Sequence, residues 1–116
     1  MPEPIAPARR PTRLSLGAYR PRATVDEVLA HFRQEVALLR ANGHITSRPA
    51  PICRSDRGEY LVIVEWATPD SVDEAHRDPA VLTVWQRKER LVEYLGPAQL
   101  AGSDAPFASY DVIDDA

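Results

Sequence analysis

At 116 residues the chain amounts to one domain, long enough to bury a core. A formal net charge of −3 argues against a general nucleic-acid binder, which carries a clustered basic excess. A single cysteine, Cys53, excludes an intramolecular disulfide and a cysteine-based metal site, and fits a reducing compartment.

Residues 1–11 are rich in proline and arginine, show no hydrophobic period and lack the apolar run of a signal peptide, so a disordered arm is expected there. The longest fully apolar run, Leu61 to Val64, is far too short for a bilayer span, and a soluble cytoplasmic protein with no membrane contact is expected. The cations are almost all arginine; Lys88 is the single lysine.

Thr12 to Tyr19 alternates, with Leu14, Leu16 and Ala18 on one side and Arg13, Ser15 and Gly17 on the other, which predicts a strand burying the leucine face. Pro21 stops it. Thr24 and Glu27 form a capping-box pattern ahead of a helix. Its stripe runs through Val25, Val28, Leu29, Phe32, Val36 and Leu39, and Asn42-Gly43 supplies the stop. Ile45 to Cys53 predicts a weaker strand, limited by Pro49 and Pro51 to an edge or a bulged position.

Ser55 to Gly58 has hairpin-turn composition, and Glu59 to Trp66 follows as the strongest strand. Ser71 and Glu74 repeat the capping-box pattern for a short helix ending near Arg77. Asp78-Pro79 then starts another, with Asp78 as N-cap and Pro79 at the first helical position. Val81, Val84, Trp85, Leu91 and Leu95 give it a helical stripe closed by Gly96 and Pro97. Phe107 to Ile113 predicts a last strand before an acidic tail at residues 114–116, leaving residues 12–113 as the domain. The order β-α-β-β-α-β predicts an α+β domain of the ferredoxin-like split βαβ type, an antiparallel sheet with both helices on one face.

The strongest strand is apolar on both sides: Tyr60, Val62, Val64 and Trp66 point one way, Leu61 and Ile63 the other. Two helices cover one face of such a sheet, and a large exposed apolar patch marks an interaction surface. A homodimer closed by a two-fold axis is expected, or else the C-terminal segment folds back over the open face.

The stretch YLVIVEWATPDSVDEAHRDPAVLTVWQRKERLVEYL, Tyr60 to Leu95, followed by PFASYDVID, resembles the antibiotic-biosynthesis-monooxygenase-like branch of the dimeric α/β barrel superfamily. The strand ending in Glu-Trp, the EAHRDPAV helix break and the later Trp and Glu-Tyr carry the resemblance, over about a third of the chain. It implies a dimeric α/β barrel and a pocket between sheet and helices for a hydrophobic aromatic small molecule. The superfamily also holds haem-degrading members, for which the resemblance implies an Asn on the first strand, a Trp early in the second helical segment and a His later in it. RLSLGAY lacks the Asn, Val72-Asp73-Glu74-Ala75 lacks the Trp, and Trp85 stands where the His would be. Haem chemistry is thus disfavoured. The oxygenase branch implies cofactor-independent monooxygenation of an aromatic or polyketide-like phenol, with Trp66 resembling a pocket tryptophan.

His76 is the candidate base, since an imidazole titrates near neutrality; exposure at a frayed helix end is the competing reading. Trp66, Trp85, Tyr60, Tyr94, His31 and Phe32 are candidate pocket walls, each also able to serve as core packing. His44 is placed in a solvent-facing loop. Three histidines without ligand spacing make no metal site, and no cofactor is expected. Glu65 interrupts an apolar face and is expected to pair with an arginine, because an unpaired buried carboxylate is costly. Cys53 has no neighbouring base to activate it. Other readings of the same residues are a non-catalytic ligand-binding or interaction module, and an isomerase or cyclase on the same scaffold.

Overall fold

Alternation and helical stripes become elements in a computed structural model that describes residues 11–116. They run β1 Arg13–Pro21, α1 Val25–Ala41, β2 Pro51–Arg54, β3 Tyr60–Trp66, α2 Ser71–Ala75, α3 Pro79–Leu91, β4 Val92–Leu95 and β5 Asp111–Asp115, with one 3-10 turn at Pro97–Gln99. All but Pro11 of the expected arm lies outside the described residues. The strands form one antiparallel sheet in the order β4-β1-β3-β2-β5.

The first helix begins where the cap chemistry places it: Thr24 Oγ1 accepts from the Glu27 N–H. It ends at Gly43, whose φ of +76° only glycine adopts without strain. Val28, Phe32, Val36 and Leu39 face the sheet and are fully or nearly fully buried. Phe32 meets Tyr19, Ile52, Tyr60 and Val62, while Val36 and Leu39 join Ile45, Trp66 and Val81. Burying each such large side chain contributes roughly 1.5–3 kcal/mol. Asp78 caps α3 through the Ala80 N–H, with Pro79 at the first helical position.

Four expectations are corrected. First, Val92–Leu95 is not helix but strand β4. Val92 turns to φ −145°, ψ 154°, and the segment pairs with Ala18–Pro21, where Val92 and Leu95 bury opposite faces. The segment expected as the fourth strand is the fifth, shifted to Asp111–Asp115, and it takes in Asp114 and Asp115. Second, β2 is shorter than Ile45 to Cys53. It lies inside the sheet, and of the two positions expected, an edge or a bulge, the structure has the irregular one, a register shift between Ile52 and Cys53 against β5. Third, Ser71 is no N-cap: it lies within α2, and its Oγ accepts from the Thr68 N–H. Fourth, the leucine side of β1 is the open one. Leu14 and Leu16 are 59% and 52% exposed, whereas Ser15 and Gly17 face the helices.

The open face is covered in part. The Gly96–Tyr110 connection crosses from β4 to β5 and buries Leu100 against Ala18, Cys53, Leu61 and Leu95. The buried Glu59 carboxylate holds this crossing by accepting from the Ala101 N–H and Ser55 Oγ. Leu14, Leu16 and Val112 stay exposed beyond it. No helix among the described residues is long and apolar enough to cross a membrane.

Candidate functional site

On the helix side of the sheet, β1 carries Ser15 and Gly17 between the larger Tyr19 and the Trp66 ring of β3. Two small residues there leave a hollow that α1, α2 and α3 roof over. The resulting cavity holds about 560 Å³, within the range of small-molecule sites. A Cβ on Gly17 would stand 2.2 Å from the Tyr19 hydroxyl oxygen, so the glycine is what lets the Tyr19 ring lie along the strand.

Trp66, His76, Trp85 and Tyr94 all line this cavity, although they come from four different elements or element ends. Trp66 Nε1 donates to Ser15 Oγ at 2.6 Å, which orients the indole across the floor. The His76 ring stands edge-on to Trp85 with centroids 4.8 Å apart. His76 Nδ1 lies 2.7 Å from the Val72 carbonyl oxygen. That oxygen only accepts, so Nδ1 is the donor of this hydrogen bond and Nε2 is the ring nitrogen left for other contacts. The His76 residue itself is exposed, at the end of α2.

Tyr60, Phe32 and His31 are not brought to the cavity. Tyr60 and Phe32 are sealed in the core with ring centroids 5.6 Å apart. The Tyr60 hydroxyl has no partner among the described residues, and burial pushes its pKa up. His31 is buried, and neither ring nitrogen has a partner among the described residues; burial lowers its pKa and favours neutral imidazole. His44 is also buried, contrary to its expected place in a solvent-facing loop. Its Nε2 meets Asp78 Oδ2 at 2.8 Å, and Asn42 donates to the same oxygen. With His44 as the first cause, the Asp78 carboxyl is lowered to about 2. Glu65 does pair with an arginine, Arg48 at 3.3 Å, and also accepts from Thr46 and Thr12. Cys53 is buried, and burial raises its thiol pKa, which leaves it a poor nucleophile.

Tyr19, Glu35 and Lys88 are among the cavity residues that escaped the sequence reading. Lys88 Nζ donates to both carboxylate oxygens of Glu35, and both side chains are withdrawn from solvent. Burial disfavours the charged lysine, but Glu35 and Tyr19 together outweigh it and the Lys88 pKa is raised. The Tyr19 ring centroid is 4.4 Å from the ammonium and that of Tyr94 is 5.7 Å away. Burial keeps the Tyr19 hydroxyl protonated by raising its pKa. A signal was present: Lys88 continues the Val81-Trp85 stripe and Glu35 the Val28-Phe32 stripe, so each charge sits at a position meant for burial.

Among the described residues no group of three or more His, Cys, Asp or Glu side chains is placed to hold a metal ion. Compared with known proteins, the chain matches no protein-family model, no curated protein and no solved structure.

Proposed function

We propose that this chain is a small-molecule-binding protein of the dimeric α/β barrel kind that oxygenates an aromatic or polyketide-like phenol without a cofactor. The cavity carries this reading: two tryptophans, a histidine and two tyrosines surround a space sized for a flat tricycle. The order β4-β1-β3-β2, with the helices on one face, supports the split βαβ assignment for the first four strands. The uncovered Leu14, Leu16 and Val112 support pairing of that face with a second copy.

In the proposed reaction His76 Nε2 takes the phenolic proton, and the resulting anion gives one electron to dioxygen. The proton taken is the hydroxyl proton of the enol tautomer, in which the methylene carbon is already CH. Recombination of the two radicals at that carbon gives a peroxide anion, which takes the proton back from His76, and the resulting hydroperoxide loses water to leave the carbonyl. One methylene and one O2 thus become one carbonyl and one H2O. Trp66 and Trp85 supply apolar walls that exclude competing water. Residue exposure at His76 favours a second reading, ligand binding without chemistry.

Dioxygen uptake by the purified, metal-stripped protein with 1,8-dihydroxyanthrone tests the reading, beside Trp66→Phe and His76→Ala. Uptake without added cofactor, reduced about 100-fold or more by loss of the base, is expected. Uptake no faster than in buffer sinks the oxygenase for anthrones, and binding without uptake selects the second reading.

A further inference from the structure

The two ends of the cavity differ in chemistry. Trp66 is held through Ser15 at one end of β1, and His76 stacks edge-on with Trp85 nearby. Four residues along the same strand, about 13 Å away, Tyr19 stands against Tyr94 with Lys88 between the rings and α1.

Stability alone gives little reason for that lysine. Desolvating two charges offsets most of their attraction, so an apolar pair of similar volume would hold α1 to α3 as well. Two hydrogen bonds of Nζ go to Glu35, which keeps the amine charged and aimed. An ammonium has three donors, and the third lies on the side of the Tyr19 hydroxyl, beside the Tyr19 and Tyr94 rings, so an oxygen entering between the rings takes the place of that neutral hydroxyl at Nζ.

We propose that Lys88 is the anion anchor of the cavity, holding the ionised oxygen of a flat aromatic ligand whose rings extend along β1 toward Trp66. That oxygen is a phenolate or an aryl carboxylate, and Glu35 is a positioning residue that acts through the lysine. The inference rests on reading the cavity as a ligand site and does not depend on dioxygen chemistry.

Three tricycles that do not consume dioxygen make the test: anthraquinone-2-carboxylate, 1,8-dihydroxyanthraquinone and uncharged 2-methylanthraquinone. By calorimetry the carboxylate should bind at least about tenfold more tightly than the methyl compound. In Lys88→Met/Glu35→Leu, which leaves no buried charge unpaired, the two should bind equally. If the dihydroxy compound takes on the colour of its anion on binding the native protein but not the variant, the phenolate is the source; if it keeps its neutral colour, the carboxylate is. Because Lys88 is the single lysine, protein labelled at lysine with ¹³C and ¹⁵N reports on this side chain alone. Its side-chain signals should move with the carboxylate and stay with the methyl compound, a readout that needs no variant.

Equal binding of charged and uncharged tricycles by the native protein would overturn the anchor, as would a preference that survives in the variant. If no tricycle binds, the anchor and the ligand site fall together. A charge preference without dioxygen uptake leaves the anchor standing and removes only the oxygenase.

Discussion

Lys88 on α3 reaches Glu35 on α1 at 2.9 and 3.1 Å, joining two helical residues 53 positions apart in the chain. The side chains retain 8% and 7% of their exposure. Removing either partner alone strands the other charge in the interior. Lys88→Met or Glu35→Leu should each cost about 3–5 kcal/mol, whereas the double variant should recover most of that loss. Urea unfolding of the four proteins measures the coupling, and additive single effects would show that the pair is not electrostatically linked.

Gly17→Ala tests the cavity floor. The added Cβ meets the Tyr19 hydroxyl oxygen at 2.2 Å and the ring carbon beside it at 2.7 Å. Tyr19 is held between Phe32 and Tyr94, with centroids at 5.3 and 5.6 Å, so its ring has little room to swing aside. The expected loss is about 1–3 kcal/mol, with weaker binding of the tricycles as the ring moves into the cavity. Unchanged stability would mean that Tyr19 relocates freely.

Asp78 links acid stability to the start of α3. Its carboxyl falls from 3.8 to about 2 in the folded chain, through His44 first and then Asn42. A depressed folded pKa contributes stability fully above 3.8, and that contribution is lost as the pH drops toward about 2. Asp78→Asn should therefore lower Tm at neutral pH, and the gap from the native protein should narrow across that acidic window. Thermal melts from pH 6 to about 2 followed by circular dichroism check this. A constant gap would remove the linkage.

Leu16→Asp tests the open face. Leu14 and Leu16 lie beyond the reach of the Leu100 crossing and belong to none of the buried clusters, so a charge there leaves the core of the single chain intact. The native protein should sediment as a dimer at micromolar concentration and the variant as a folded monomer. A native monomer would show that the exposed leucines have another role.

Much of the fold was legible because it depends on neighbours in the chain. Thr24, Asp78 and Gly43 act within a turn of their own position, and helical spacing marks which side of α1 is apolar. Trp66 and His76 were legible as candidates for a related reason: an aromatic ending a strand and a histidine at a helix break stand out locally. Lys88 and Glu35 were not, since neither means anything until α1 and α3 lie side by side. Val92–Leu95 misled for the converse reason. Leu91 and Leu95 keep helical spacing, and only a free edge on β1 draws the segment into the sheet.

By itself the sequence determined where strands and helices begin over most of the chain, and that β3 is apolar on both sides, because these properties follow from short-range sterics, capping and periodicity. Tertiary structure decided which side of β1 faces the helices, that β4 follows α3 directly, and that a lysine and a glutamate close one end of a cavity. Such choices depend on contacts between residues far apart in the chain, whose free energy exists only once the sheet has formed and the helices have packed on it.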